Sequence, residues 1–470
     1  MADVARHPGA ARLLPPTPRQ VALAATQPAP RRVRPGLALG VIGVGALTVI
    51  ALWWHDTPSV TGLGDGLTGA GRVLGLLAGY GVVVLVALMA RLPPLERGIG
   101  TDLLARWHAM GGRYVISLIA AHAVAITWGY AVTAHEGVIA ETGTLLTSYP
   151  DVLMATVAAF LLLAIGLVSA RAARRRMAYE TWYYLHFYTY IAIALAFSHQ
   201  FADGASFVAS LPARVLWSAL YLTVAALVAW YRLITPVRKL ERHRFRVAGL
   251  RPETPGVVSV YIFGDHLDEL RAEPGQFFRW RFLTRGLWWQ SHPYSLSAMV
   301  RPDVMRITVK VRGDHSHALT RLRPGTWIIA EGPYGAFTPA PSRRGVVLLA
   351  GGVGITPIRA MFAAMSARTS QLSGGITLIY RASDPRDIVF RRELDGIAAA
   401  RGATVHYLTG SRYQLGTDPL SARRLAALVP GLHRLEAYIC GPPGMTRATV
   451  AALRTAGVPR RRIHYESFDF

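Results

Sequence analysis

Hydrophobic residues in the first half of the chain fall into six long runs separated by polar segments. The runs occupy residues 36–54, 72–92, 103–132, 152–170, 182–201 and 213–232. About 20 mostly apolar residues form a helix that crosses a hydrocarbon core about 30 Å thick, so the pattern predicts six transmembrane helices within residues 36–234. Residues 1–35 are rich in Pro, Ala and Arg and lack hydrophobic periodicity, which predicts a disordered tail.

The pattern changes after Lys239. Short β-like runs bounded by Pro and Gly follow at 257–263, 276–282 and 305–311, and they predict an antiparallel β-barrel over residues 241–341. From Gly345 strands such as VVLLA alternate with helices, which predicts a parallel α/β nucleotide-binding domain over residues 345–470. The predicted fold is a multidomain membrane protein with a six-helix bundle, a β-barrel and an α/β domain.

The distribution of charge orients the predicted spans. The chain carries a formal net charge of +24, yet only Lys239 and Lys310 are lysine and the remaining basic residues are arginine. The arginines lie beside the spans and across the C-terminal half rather than in runs interleaved with aromatic residues, which argues against a nucleic-acid partner. The loops 55–71, 135–151 and 202–212 contain acidic residues but no Lys or Arg. The positive-inside rule then places both termini on the cytoplasmic side of the cell membrane.

Two of the predicted spans carry a pair of histidines each. His108 and His122 are 14 residues apart, and His186 and His199 are 13 residues apart. At about 1.5 Å per residue each pair is separated by roughly 20 Å. Both spans start inside and run parallel, so His108 and His186 share the inner level of the membrane, and His122 and His199 share the outer level.

Imidazole on both sides of an iron is a common way to hold haem. The four histidines therefore predict two b-type haems in a lipid bilayer, although a single intramembrane histidine can also serve helix–helix hydrogen bonding. At about 100° per residue, 14 positions return to within about 40° of the starting direction, whereas 13 miss it by about 140°. The second helix therefore needs a π-bulge, a strong tilt or haems approached from different sides.

Two glycine-containing segments of the predicted α/β domain suit nucleotide binding. GGVGITP (351–357) follows a strand and opens a helix, where glycines allow a pyrophosphate to approach free backbone N–H groups. CGPPGM (440–445) ends the last apolar strand, at the edge where α/β sheets bind ligands. The alternatives are a tight turn for the first segment and simple packing for the lone Cys440, which also excludes an internal disulfide and a cysteine-ligated iron–sulfur cluster.

Several short motifs occur in one order. HPYSLS (292–297), GDHS (313–316), EGPYGAF (331–337), GGVGITP and CGPPGM precede a terminal ESFDF. In this order they resemble the ferredoxin–NADP reductase superfamily. With the histidine-bearing spans upstream, the chain resembles the ferric reductase and NADPH oxidase family of membrane flavocytochromes.

The resemblance implies a set of cofactor-binding residues. FAD is expected at His292, Pro293, Tyr294, Ser295, Ser297, Gly313, Asp314, His315 and Ser316. NAD(P)H is expected at Gly351, Gly352, Gly354, Thr356, Pro357, Gly441 and Pro442. Cys440 and Ser295 are expected beside the reacting rings, and Phe470, with Phe468 as the alternative, is expected to shield the flavin. Arg381 and Arg412 are placed to meet a 2′-phosphate, which favours NADPH over NADH.

The resemblance also implies a route for electrons. They pass from NAD(P)H through FAD, the inner haem and the outer haem to an acceptor outside, either oxygen, giving superoxide, or chelated ferric iron. Ile126 stands where some family oxidases have a second histidine, which weighs against oxygen. The alternatives are a membrane module that donates electrons to an extracytoplasmic protein partner, and a haem-free sensor. The oligomeric state stays open.

Overall fold

The computed structural model describes residues 33–56, 60–170, 176–177, 179–202, 207, 210–339, 344–365, 375–410 and 418–467. Contacts divide the chain into an amino-terminal unit, Arg31–Thr235, and a carboxyl-terminal unit that begins at Pro236. Nearly all of the predicted tail, together with Arg412, Phe468 and Phe470, lies outside the described residues.

The amino-terminal unit is helical. Its helices are α1 (Pro35–Asp56), α2 (Leu63–Leu88), α3 (Pro93–Gly98), α4 (Thr101–Ala134), α5 (Val138–Ser148), α6 (Val152–Ser169), α7 (Tyr179–His186), α8 (Tyr188–Ala202) and α9 (Leu211–Ala229). A π-helical segment, Trp230–Ile234, and α10 (Thr235–His243) continue from α9. Among the described residues, five helical segments are long and apolar enough to span a membrane, which indicates a multi-pass membrane protein.

The segment predicted as the fifth span differs from the other five. The run 182–201 is divided between α7 and α8 at Phe187, so neither helix alone reaches spanning length. Helix α2 also begins at Leu63, earlier than the predicted residue 72, so the glycine-rich segment before Arg72 is helical too. Arg72 therefore lies within a helix rather than at its start.

Glycines allow α2 and α4 to pack closely. A Cβ atom at Gly71 would lie 2.7 Å from the Ile126 side chain, and one at Gly81 would lie 2.6 Å from Val115. Small residues at helix interfaces bring backbones together in membrane proteins, where dispersion forces and hydrogen bonds replace the hydrophobic effect. The carbonyl groups of α2 thereby come within reach of side chains on α4.

The carboxyl-terminal unit begins with two three-stranded antiparallel sheets, ordered β1-β2-β5 and β4-β3-β6. The strands are β1 (Arg246–Thr254), β2 (Val257–Phe263), β3 (Phe277–Phe282), β4 (His292–Ser295), β5 (Val304–Lys310) and β6 (Ile328–Tyr334), with the short helix α11 (Asp314–Leu319) between the last two. Isolated bridges join β1 to β6 at Arg246 and Trp327, and Leu296, just after β4, to Ile307 of β5. Phe278, Trp280 and Phe282 are fully buried among these strands.

A five-stranded parallel sheet follows. It contains β7 (Val346–Gly351), α12 (Ile355–Ala364), β8 (Ile376–Arg381), α13 (Arg391–Arg401), β9 (Thr404–Leu408), α14 (Ala422–Leu428), β10 (Glu436–Gly441), α15 (Pro443–Thr455) and β11 (Ile463–Ser467). The strand order is β11-β10-β7-β8-β9, and separate apolar clusters cover its two faces. The chain changes direction between β7 and β10, and open α/β sheets bind ligands at the carboxyl ends of strands at such a point.

Candidate functional site

Two histidines of α4 are held by backbone carbonyl groups of α2. Nδ1 of His108 lies 3.0 Å from the carbonyl oxygen of Leu85, and Nδ1 of His122 lies 2.8 Å from that of Gly71. A carbonyl oxygen can only accept, so Nδ1 carries the proton in both rings and Nε2 keeps its lone pair. This second hydrogen bond is what normally orients a metal-binding imidazole.

Each histidine of α4 has one of the other two predicted histidines near it. The ring centres of His108 and His186 are 5.8 Å apart, and His199 lies near His122. Trp182 stacks on His186 at 5.3 Å between ring centres. The structure therefore brings the four histidines together as two pairs.

The inner pair fits a metal held between two imidazoles. With metal–nitrogen bonds of about 2 Å, two rings bound on opposite sides of one iron have centres about 6 Å apart, close to the 5.8 Å between His108 and His186. Nδ1 of His186 is buried and has no hydrogen-bond partner among the described residues. A buried polar atom without a partner is costly, so a metal bound at this nitrogen of His186 would satisfy it, whereas His108 presents Nε2. The residues present fit haem.

The break at Phe187 bears on the 13-residue spacing of His186 and His199. The amide of Phe187 donates to the carbonyl of Tyr184, and that of Tyr190 donates to the carbonyl of Phe187. These i to i+3 bonds give a tighter turn of about 120° per residue instead of about 100°. The extra rotation moves the two side chains towards the same face. The irregularity at Phe187 is therefore not the expected π-bulge, because it tightens the helix where a π-bulge would loosen it.

In the carboxyl-terminal unit, three residues predicted to bind FAD form a cluster. The rings of His292 and His315 have centres 3.7 Å apart, and the hydroxyl of Tyr294 is hydrogen-bonded to Nδ1 of His315 at 3.1 Å. Burial, followed by repulsion from His292, lowers the pKa of His315 to about 3. Burial also raises the pKa of Tyr294. The side chains of His315 and Tyr294 are therefore both uncharged at neutral pH.

The remaining predicted FAD residues lie in the two adjoining segments. Pro293 is on β4 beside Tyr294, and Ser295 and Ser297 are buried. Gly313 has a φ of 112°, a conformation that side-chain-bearing residues rarely adopt, directly before Asp314 starts α11. The Ser316 hydroxyl donates to the carbonyl of Gly313 at 3.0 Å, which closes the turn.

The predicted nucleotide residues meet at the carboxyl ends of β7 and β10. A Cβ atom at Gly354 would lie 2.2 Å from the carbonyl oxygen of Cys440, and one at Gly441 would lie 3.2 Å from Cα of Gly351. Only glycine permits the approach at Gly354, and a side chain at Gly441 would require the neighbouring backbone to shift. Thr356 and Pro357 are buried in the first turn of α12.

A cavity of about 290 Å³ opens at this edge of the sheet. Gly351, Gly352, Arg381 and Pro442 line it, together with Lys310, which we did not predict from the sequence. Cys440 is fully buried in an apolar cluster of the sheet core, whereas Pro442, two residues on, lines the cavity. Sequence reasoning placed Cys440 beside the reacting ring from its position at the strand end, and that position does not show which way the thiol points.

The guanidinium of Arg381 is engaged by backbone carbonyls at the ends of β8 and β9. It donates to the carbonyl of Leu408 at 3.0 Å and also to those of Ala382 and Gly410. Arg381 therefore ties two strands together at the cavity, where it was expected to meet a 2′-phosphate.

Three family models match the chain. They are the ferric reductase like transmembrane component over residues 74–197, an FAD-binding domain over 257–338 and an oxidoreductase NAD-binding domain over 348–451. The first contains His108, His122 and His186 and ends two residues before His199, and the other two contain the histidine–tyrosine cluster and the glycine loop.

Individual proteins are also similar to part of this chain. The chain is 32% identical over 234 residues to a flavohemoprotein of Pseudomonas putida, covering 48% of this chain and 58% of that protein. It is 34% identical over 175 residues to ferredoxin–NADP reductase B of Sorangium cellulosum, covering 33% of this chain and 68% of that protein. The chain spans roughly three fifths of the length of the first curated relatives it matches.

A solved structure also aligns with the chain. It is the FAD/NAD-binding domain of nitric oxide dioxygenase from Vibrio cholerae, 25% identical over 48% of this chain and 97% of that one, with a TM-score of 0.40. From the family models and the Sorangium relative, the chain is an oxidoreductase of the ferredoxin–NADP reductase family, with FAD- and NAD-binding domains behind a ferric reductase-like transmembrane component, the ferric reductase/NADPH oxidase-like architecture.

Proposed function

We propose that this protein moves electrons across the cell membrane, from cytoplasmic NAD(P)H through FAD and two b-type haems to an acceptor outside. The observation that carries the proposal is the pairing of His108 with His186 at 5.8 Å between ring centres. The fixed tautomers of His108 and His122 support it, because both leave Nε2 available to a metal.

In this proposal the chain binds four cofactors and keeps them in fixed positions. His108 and His186 would hold the inner haem, and His122 and His199 the outer one, at levels roughly 20 Å apart along α4. When bound, NAD(P)H, FAD and haem supply the hydride donor, the conversion between two-electron and one-electron transfer, and the carriers across the bilayer. The α2 carbonyls of Leu85 and Gly71 keep the imidazoles oriented.

The carboxyl-terminal unit would bring the nicotinamide and the flavin together. Tyr294 and Ser295 on β4 face the FAD, and the glycine loop 351–354 leaves room for the pyrophosphate of NAD(P)H. Ser295 is buried beside Tyr294. The arginine asymmetry of the loops would orient this unit, with both termini, to the cytoplasm.

Oxygen and a ferric chelate are the two acceptors we propose. Ile126 packs against Gly71, next to the carbonyl that holds His122. An apolar side chain there offers no proton or hydrogen bond to reduced oxygen. This favours a ferric chelate over oxygen, and NADPH over NADH is proposed as the donor from the place of Arg381 beside the cavity.

The experiment uses the full-length protein purified in detergent. NADPH is added without oxygen, the haem bands are recorded, and oxygen or a ferric chelate is then admitted. We expect two haems per chain, reduction of both, and reoxidation by one of the two acceptors. In His122→Ala and His199→Ala, flavin reduction should persist while about half of the haem is lost. Full haem content in both variants would refute the ligand assignment. Reduced haem that neither acceptor reoxidises would instead indicate an extracytoplasmic protein partner.

A further inference from the structure

A cluster of three charged side chains, two of them buried arginines and the third a glutamate that is 27% exposed, joins the FAD-binding and NAD-binding domains. Arg306 lies on β5, whereas Arg359 lies on α12 and Glu393 on α13. Arg306 donates to both carboxylate oxygens of Glu393, at 2.8 and 3.0 Å, and Arg359 forms a second ion pair with Glu393 at 2.8 Å. The two arginine side chains are 6% and 8% exposed, so solvent screens these contacts little.

Both arginines also bind the end of the flavin segment. The carbonyl oxygen of Ser297 accepts from Nη2 of Arg306 at 3.0 Å and from Nη1 of Arg359 at 3.2 Å. Nε of Arg306 donates to the Ser297 hydroxyl at 3.1 Å. Ser297 is the last residue of HPYSLS, two residues beyond Ser295. The cluster is therefore attached directly to the segment proposed to face the flavin.

Arg359 is also close to the nucleotide loop along the chain. It lies five residues after Gly354, on the helix that begins at Ile355. Because a helix is rigid over a turn or two, a displacement of Arg359 from Ser297 also displaces the loop from the flavin segment. One carbonyl group thus links the two elements that would carry the reacting rings.

The charges of the cluster do not balance. Two arginines face one carboxylate, and burial, followed by repulsion from Arg306, lowers the pKa of Arg359 to about 10. Arg359 therefore still carries its charge at neutral pH. Burial of ion pairs usually brings little net stability, because desolvation offsets the attraction between the charges. Such a cluster is better explained as fixing the relative position of the flavin segment and the nucleotide loop than as stabilising the fold.

We propose that Arg359, held by Glu393 and Ser297, is a positioning residue that sets the approach of the nucleotide loop to the flavin segment. It would control the rate of hydride transfer and leave the affinity for NAD(P)H unchanged. This inference rests on the proposed function, since it takes NAD(P)H and FAD as the reactants. The step breaks the C4–H bond of the dihydronicotinamide and forms an N5–H bond on the flavin, moving one proton and two electrons together.

The test compares Arg359→Met with Arg242→Met in the full-length protein. Arg359→Met leaves Arg306 paired with Glu393, so no buried charge loses its partner. Arg242 is the matched control, because its ion pair with Glu269 is short, at 2.6 Å, but exposed. We expect flavin reduction by NADPH to slow about ten- to hundredfold in Arg359→Met with KM changed less than about twofold. Unchanged reduction, or a change in KM alone, would overturn the proposal, and Arg242→Met should match the wild type.

A second readout does not depend on turnover. In cofactor-depleted full-length protein, hydrogen exchange at residues 292–299 and 351–362 should be faster in Arg359→Met than in Arg242→Met, because the link between the two segments is lost. Equal exchange would refute the link. If Arg359→Met retains no FAD, Arg359→Lys replaces it, and wild-type flavin reduction in that variant would also refute the proposal, since lysine lacks the planar fork.

The two proposals fail in different ways. A wild-type protein whose flavin is reduced by NADPH but which binds no haem would refute the transmembrane function and leave the role of Arg359 standing. A wild-type protein that passes electrons to both haems, together with an Arg359→Met variant of equal flavin reduction, would refute only the positioning role.

Discussion

Gly75 of α2 lies directly against His122 of α4, and a Cβ atom at position 75 would be 2.7 Å from Nδ1 of the imidazole. That nitrogen donates to the carbonyl of Gly71, one turn away on the same helix. An alanine at position 75 would push the ring away from this carbonyl. A single methyl group therefore tests whether the orientation of His122 matters.

We expect Gly75→Ala to lose about half of the haem absorbance per chain, because only the outer site depends on His122. The haem content of the purified protein, measured against its FAD content, provides the check. Gly112→Ala is the control, since a Cβ atom there meets no atom within 4 Å and Gly112 lies on the same helix as both ligands. Equal haem content in the two variants would contradict the proposed outer site.

The membrane histidines were predictable because helix geometry and charge asymmetry act over long stretches of sequence. Spacing and topology alone paired His108 with His186 and His122 with His199. The carbonyls of Leu85 and Gly71 were not predictable, because every residue has a carbonyl group and only the packing of α2 on α4 selects these two. The break at Phe187 was also hidden, since an aromatic residue within an apolar run gives no breaker signal.

In the carboxyl-terminal unit the glycine motifs marked the end of β7 and the end of β10, since glycine at such turns follows from steric demand. The Arg306, Arg359 and Glu393 cluster was missed because its members come from three elements of an arginine-rich chain. The one sequence signal was a charged residue, Arg359, within the mostly apolar helix ITPIRAMFAA. The Cys440 thiol is buried because apolar clusters cover both faces of the sheet, and the sequence alone does not show which face the thiol joins.

Gly354→Ala should impair the reduction of flavin by NADPH. The added Cβ atom would lie 2.2 Å from the carbonyl oxygen of Cys440, and this backbone atom cannot move aside as a flexible side chain would. We expect the rate to fall by at least about tenfold while FAD content stays normal. Gly396→Ala, with no atom within 4 Å of its Cβ position, should reduce flavin at the wild-type rate. A normal rate in Gly354→Ala would show that the loop does not need this close approach.

His315 should make the flavin site sensitive to acid. Its folded pKa is lowered from 6.5 to about 3, by burial and then by His292. Between these values the unfolded chain binds a proton that the folded chain does not. The stability it contributes is therefore complete above about pH 6.5 and is lost progressively as the pH falls towards 3.

The temperature at which the full-length protein releases FAD, followed by flavin fluorescence between about pH 7.5 and 5, measures this effect. We expect the release temperature to fall less with acid in His315→Gln than in the wild type. His317→Gln is the control, because His317 is exposed two residues further on the same helix. Parallel curves for the wild type and both variants would show that burial and the neighbouring His292 do not lower the pKa of His315.

Arg381 offers a test of nucleotide preference, since it lines the cavity while its guanidinium binds the carbonyl of Leu408 at 3.0 Å. If it also meets the 2′-phosphate, Arg381→Met should raise KM for NADPH about tenfold or more and leave KM for NADH nearly unchanged, because a charged hydrogen bond to phosphate is lost. Steady-state rates with both nucleotides give the answer. Arg434→Met, at an exposed position of the same domain, should alter neither KM. An equal rise for both nucleotides would mean that Arg381 only ties β8 to β9, and the preference for NADPH would lose its structural support.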